Sequence, residues 1–412
     1  MAHYQVICLS CQAVQDEAAM TSPAVGCTRC GGPLGFHYDY QDVRWDGRFG
    51  RTMWRYWRLL PVPDPTQLVT LGEGGTPLLP SRMLTGARVY LKDETRNPTG
   101  SHKDRPLSVA INHARRMGAT ASFVVSTGST GISNAALAAC AGLKSVVLMT
   151  QGTPAARVYP MYALGSQVVE VEGAIDDLIE QVIQLCRRHG LYLSSTSRAS
   201  NPYQAEGNKT IAYELVEELG RAPDWVVVPV GGGGTLAGLL RGFQDLQRLG
   251  HVERLPRLVG VVPRDYNALE VAFQRGLTRW EEVLALPYHD CPPSILVKLA
   301  HSYPPDGMEA LEAVRACGGW FLSVTDEEAL AAQEACGRQE GLYVEPSTGA
   351  ALAGAARLLQ GGEVRPEETV VVLVSGSGFR ENFVTMERRP LEKRTTTVQE
   401  LETVLLSWFQ AA

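Results

Sequence analysis

From about residue 68 onward, short β-branched apolar runs alternate with longer segments whose apolar residues recur at helical spacing. The runs VYLKDE (89–94), SFVVST (122–127), SVVLMT (145–150), QVVEVE (167–172), WVVVPV (225–230), LVGVVP (258–263) and TVVVLVSG (369–376) predict β-strands. Between them, GAIDDLIEQVIQLCRRHG (173–190) sets Ile175, Leu178, Ile179, Val182, Ile183 and Cys186 on one face of a helix. Continuous apolar strands separated by helices predict buried parallel sheets built from β-α-β units, an α/β fold. Two such stretches, about 120–195 and about 200–380, show no internal repeat and predict two lobes with a cleft between them. The expected boundaries are a large lobe from 68–119 and 196–400, a small lobe from 120–195, and a C-terminal helix over 401–412.

The first 67 residues follow another logic. Cys8 and Cys11 form one C-x-x-C, Cys27 and Cys30 a second, with fifteen residues between the pairs. Four thiolates at this spacing suit a closed, structural zinc site in a ribbon over 1–37; two disulfides are the alternative, which a reducing compartment disfavours. Cys140, Cys186, Cys291, Cys317 and Cys336 lack partner spacing and read as buried thiols. The aromatic, arginine-rich segment over 38–67 reads as a strap packing the ribbon onto the body; Asp39, Asp42 and Asp46 dilute it as a nucleic-acid surface. A net charge of −6 points to neither nucleic acid nor an anionic membrane. With no signal peptide apparent and no bilayer-length apolar stretch, a cytoplasmic enzyme is expected.

Candidate chemistry sits in four turns. In NPTGSHKDRP (97–106), Lys103 stands at the mouth of a helix, either as a solvated lysine or as an amine aimed into a cleft to form a Schiff base. In PVGGGGTLAG (229–238) a strand enters, four glycines follow and a helix begins, which suits a single phosphate held by backbone amides. A dinucleotide fingerprint would need an acidic residue ending the next strand, and that strand ends at Pro263-Arg264. STGSTGISN (126–134) offers hydroxyls and amides for a carboxylate, and VSGSGFREN (374–382) places Ser375 at the end of a late strand. An amine, a phosphate cup, a carboxylate cup and a hydroxyl are the parts that hold pyridoxal phosphate and an amino acid.

Residues 68–385 resemble a fold-type II pyridoxal-phosphate enzyme, tryptophan synthase β-like, and specifically the threonine synthase family. The resemblance rests on LGEGGTPLL (71–79), KDETRNPTGSHKDR (92–105), NPYQAEGNKTIAYEL (201–215), PVGGGGTLAG and EGLYVEPSTGAAL (340–352), in that order. It implies that Lys103 carries the cofactor and moves protons, that Gly231, Gly232, Gly233, Gly234 and Thr235 hold its phosphate, and that Ser375 lies by its pyridine nitrogen. Ser126, Thr127, Gly128 and Thr130 would take the substrate carboxylate, while Asp104 and Arg105 would brace the helix. The chain departs from the family at His102, where an aromatic is usual, and at Ser129, where an asparagine usually meets the cofactor's 3-hydroxyl. Gln167 and Gln204 stand where arginines for a substrate phosphate are expected, leaving Asn201, Lys209, Lys298 and Arg380 as candidate substitutes. The implied reaction is O-phospho-L-homoserine plus water to L-threonine plus phosphate. The alternative is β-elimination or β-replacement on serine, threonine, O-phosphoserine (as in cysteate synthases) or diaminopropionate. A third possibility is an idle relative whose ribbon binds a partner or nucleic acid; the intact Lys103 and the acidic chain argue against it. A small amino-acid substrate, no nucleic-acid or membrane partner, and a homodimer complete the expectation.

Overall fold

Three sheets organise the described residues. The computed structural model describes residues 3–17, 20, 26–126, 128–173, 175–194, 197–288, 291–382, 384 and 395–410. β1 (Tyr4–Cys8) and β2 (Leu34–Tyr38) pair antiparallel as the N-terminal ribbon. β3 (Leu78–Pro80), β4 (Arg88–Asp93) and α1 (Asp104–Arg116) open the first lobe. The chain then builds the second lobe from β5 (Ala121–Val125), α2 (Ser129–Ala141), β6 (Lys144–Thr150), α3 (Ala155–Ala163), β7 (Gln167–Val171), α4 (Ile175–His189) and β8 (Tyr192–Leu193). It returns through α5 (Pro202–Gly207), α6 (Lys209–Leu219), β9 (Trp225–Pro229), α7 (Gly234–Arg248) and β10 (Arg257–Pro263). α8 (Ala268–Gln274), α9 (Trp280–Leu284), α10 (Gly307–Ala316), β11 (Trp320–Val324), α11 (Asp326–Glu340), α12 (Pro346–Gln360) and β12 (Thr369–Val374) complete it.

The larger sheet has the order β11-β10-β9-β12-β4-β3, parallel except for the β3 edge; the smaller, β7-β6-β5-β8, is wholly parallel. Every residue of β9 and β12 is buried, because helices cover both faces of these central strands. β7, at the edge of the smaller sheet, has no buried residue. All seven strands anticipated from the apolar runs form, each within a few residues of its expected limits. Cys186, Cys317 and Cys336 are buried as expected, but Cys140 is exposed near the end of α2 and Cys291 is half-buried.

The strap uses its aromatic residues to bind the ribbon to the body. The Tyr38 hydroxyl donates to Glu206 at 2.9 Å and that of Tyr40 to Asp245 at 2.6 Å. The Trp54 indole donates to Glu73 at 2.6 Å, and the ring of Tyr38 carries the Lys209 ammonium 3.9 Å from its centre. Residues through Arg380 form one compact unit. The chain from Glu381 is a second unit, in which α13 (Leu401–Gln410) falls within the helix expected over 401–412.

Candidate active site

The parallel strands of both sheets end at a cleft of about 430 Å³, lined from one lobe by the turns after β5 and β6 and from the other by those after β9 and β12. Lys103 lies in that cleft, immediately before α1. Its turn is stitched to the end of β12: the amide of His102 donates to the Ser375 carbonyl at 3.0 Å, and that of Ser377 to the Gly100 carbonyl at 2.9 Å. His102 Nδ1 lies 2.9 Å from the same Ser375 carbonyl. A carbonyl only accepts, so Nδ1 carries the proton and Nε2 keeps its lone pair. Burial, with Lys103 beside it, pushes His102 down to about 4, so the ring is neutral. Burial likewise pushes the Lys103 amine down to about 8; Asp306 and Glu345 oppose that shift and Lys298 adds to it.

The residues after Lys103 brace the helix. The Asp104 carboxylate accepts from the Thr99 amide at 2.7 Å and its hydroxyl at 2.6 Å. Arg105 is fully buried between Glu94 and Glu214.

The glycine run after β9 bends into a cradle that side chains would fill. A Cβ at Gly231 would sit 2.3 Å from the Lys298 carbonyl oxygen, and Gly233 has a φ of +94° with its Cβ direction 2.7 Å from the Asp306 carbonyl. The first-turn amides of α7 have no acceptor within the helix and start at this cradle, an arrangement that binds an anion. Gly232, Gly234 and Thr235 also line the cleft. Asp306, joined to the run by its amide donating to the Gly232 carbonyl at 2.8 Å, is pushed up to about 7 by burial and by Glu309.

Ser126, Gly128, Ser129 and Thr130 line the opposite wall, while Thr127 lies outside the described residues. The Ser126 hydroxyl accepts from the amides of Gly128 at 3.1 Å and Gly131 at 3.0 Å, which shapes the turn entering α2. Ser129 accepts from Lys298 Nζ at 2.9 Å. Ser375, 2% exposed, donates its hydroxyl to Glu345 Oε1 at 2.6 Å.

Several expected residues lie elsewhere. Asn201, expected to touch substrate, instead caps α5: its side-chain oxygen accepts from the amides of Tyr203 and Gln204, and its amide donates to Leu193. It is wholly buried and does not line the cleft. Gln204 is buried in α5 and Gln167 is exposed on β7; neither lines the cleft. Lys209 is consumed by Glu206 at 2.7 Å and Asp245 at 2.9 Å. Arg380 reaches the Ser129 carbonyl at 3.4 Å but faces a separate groove. Of the four candidate substitutes, Lys298 alone is in the cleft. Glu345 and Arg157 were not anticipated there. Glu345 lies within the EGLYVEPSTGAAL segment, directly before the proline that starts α12; Arg157, 5% exposed, is the one charged residue in the sequence of α3.

In the ribbon, the four cysteine sulfurs lie within 4.8 Å of one another, Cys8 3.5 Å from Cys30 and Cys11 3.7 Å from Cys27. Tetrahedral thiolates on zinc, at bonds of about 2.3 Å, stand about 3.8 Å apart, so the donor set fits such an ion. The amides of Cys11 and Arg29 donate to the Cys8 and Cys27 sulfurs, orienting them.

A lysine amine, a glycine cradle at a helix start and a hydroxyl at a strand end, joined at the carboxyl edge of two α/β lobes, fit pyridoxal phosphate and define a fold-type II enzyme of that cofactor. Residues 69–376 match the family described as pyridoxal-phosphate dependent enzyme, and the chain belongs to it, among its threonine synthase-like members. It is 33% identical to the threonine synthase of Methanocaldococcus jannaschii over 364 residues, which span 85% of this chain and 88% of that one. It is 35% identical to the threonine synthase of Mycobacterium tuberculosis over 337 residues, 80% and 89% of the two chains. In fold it is similar to an O-ureido-L-serine synthase (TM-score 0.63, 20% identity, 77% of this chain and 94% of that one). A fungal L-serine ammonia-lyase from Rhizomucor miehei is comparably similar (TM-score 0.63, 23% identity, 77% and 98%).

Proposed function

We propose that the protein converts O-phospho-L-homoserine and water to L-threonine and phosphate. The observation that carries this reading is the identity to threonine synthases along most of the chain, 33% over 364 residues in the archaeal case. Pyridoxal phosphate, when bound, supplies an electron sink for charge developing on the substrate's carbon skeleton. Lys103 holds the cofactor and moves protons among Cα, Cβ and Cγ of the substrate. The cradle from Gly231 to Thr235 binds the cofactor phosphate, and the turn at Ser126 to Thr130 orients the substrate carboxylate. Ser375 would face the pyridine nitrogen of the bound cofactor, and Ser129 its 3-hydroxyl. Arg157 takes the substrate phosphate in place of the arginines absent at Gln167 and Gln204. Arg157→Ala should then raise KM for a phosphorylated substrate about 10- to 100-fold, the value of a charge-assisted bond, with a smaller change in kcat.

Phosphate release from O-phospho-L-homoserine, followed with the visible spectrum in the same cuvette, tests the reading. Release with threonine formed supports it. A spectrum that responds to serine, threonine, O-phosphoserine or diaminopropionate while phosphohomoserine stays intact overturns it in favour of β-elimination or β-replacement.

The proposal includes one structural zinc on Cys8, Cys11, Cys27 and Cys30, and a homodimer in the cytoplasm. Among the described residues no helix is long and apolar enough to cross a membrane. Metal analysis of freshly prepared protein should find one zinc per chain, and chelation should lower Tm by several degrees because metal binding adds to folding free energy. Protein free of zinc would remove that part.

A further inference from the structure

The cleft holds a second lysine. Lys298 Nζ donates to Glu345 Oε2 at 2.6 Å and to Ser129 Oγ at 2.9 Å. Ser129 opens α2 on one wall, whereas Glu345 precedes α12 and binds Ser375 on the other, so the ammonium touches both. Its segment is held by close approach to both glycine turns. The Lys298 carbonyl oxygen lies 2.3 Å from the Cβ direction of Gly231, and its Cε lies 3.3 Å from that of Gly128. Glu345 is 2% exposed, and a carboxylate so buried is stable only with a partner.

We propose that Lys298 and Glu345 are positioning residues, a matched pair of opposite charges that sets the proton affinity of the Lys103 nitrogen, with Ser129 holding the cationic end. The inference rests on Lys103 as the lysine that carries the cofactor. The two charges act on that nitrogen with opposite signs: the ammonium disfavours its proton and the carboxylate favours it. Asp306 also faces Lys103 and favours the proton once it is ionised, above about 7, and His102 beside Lys103 is neutral, so Lys298 and Glu345 are the two groups that act on that nitrogen with opposed charges.

Titrating the visible absorption of the holoenzyme tests this. In Lys298→Gln the carboxylate keeps its bond from Ser375 as a partner but loses the opposing ammonium, and the pH midpoint should rise. In Glu345→Gln the ammonium is left unbalanced, and the midpoint should fall. Each shift should be about one to two pH units, the size expected of charges that share one cleft with the amine at an intermediate dielectric. The double variant should return close to the wild-type midpoint, and Lys298→Arg should keep it. Shifts of the two single variants in the same direction, or no shift, overturn the inference. A purely packing role moves the midpoint in neither opposed pattern. If Lys298→Gln does not fold, the sign of the Glu345→Gln shift decides. Should Lys103→Ala retain the visible band, the cofactor-lysine reading fails instead, a separate outcome.

Discussion

Replacing Lys103 by alanine is expected to abolish the visible absorption of the holoenzyme and to reduce turnover by at least about 1,000-fold, since on the proposed reading the change removes both the attachment point and the acid–base group. The site prepares this amine. Burial holds it at about 8, so a neutral amine that can attack the cofactor is already present near neutral pH. At pH 7 about a tenth of such an amine is neutral, against less than about 0.1% at the ordinary lysine value near 10.4. Because the shift is downward, cofactor attachment should accelerate as pH rises and level off above about 8. Lys103→Arg keeps a cation of similar length but cannot form the bond, so it should be as colourless as the alanine variant. Survival of the yellow band in either variant would move the attachment elsewhere.

How much of this was legible depends on whether the signal was local. Apolar β-branched runs mark the central strands because both faces of β9 and β12 are covered by helices, so burial leaves a continuous trace. β3, β8 and β11 left weaker traces: the first two are three and two residues long, and WFLSV in β11 has only two buried residues. The turns at Lys103, the glycine run and Ser375 could be read one by one, since each follows or precedes a strand within a few residues. That Ser375 spends its proton on Glu345, and Glu345 its charge on Lys298, follows from tertiary placement of residues 30 and 47 positions apart. Asn201 misled for a related reason. An asparagine before a proline is a helix cap by local chemistry, and the structure uses it so, while the family resemblance had suggested a ligand. The glutamines at 167 and 204 pointed to a missing cation, but only the fold shows Arg157 entering the cleft from α3.

The largest effect on stability should come from Arg105, two residues beyond the site lysine. Its guanidinium is fully buried and donates to Glu94 at 2.7 and 2.8 Å, to Glu214 at 2.8 Å twice, and to the hydroxyls of Thr210 at 3.0 Å and Thr76 at 3.1 Å. Both carboxylates are buried and are held low against that burial chiefly by Arg105. Arg105→Met removes the charge that separates them. Lys92 still reaches Glu214 at 2.9 Å, so Glu94 is left with the greater cost. Breaking a buried pair from one side destabilises by about 3–5 kcal/mol, which for a unit of this size corresponds to a fall in Tm of about 5 °C. The sign with pH is also set. Without the arginine, Glu94 gains proton affinity in the folded state relative to the unfolded chain, so the variant binds more protons when folded and loses stability as pH rises. The deficit should therefore be larger at pH 8 than at pH 5, whereas a variant that merely lost packing volume would show the same deficit at both. Arg105→Lys should recover only part of the loss, because one ammonium cannot reproduce bonds that leave from three guanidinium nitrogens. Thermal unfolding of the three proteins at the two pH values separates these cases. Since Arg105 does not line the cleft, the folded variant should still take up cofactor on Lys103, which distinguishes a brace from a reactant.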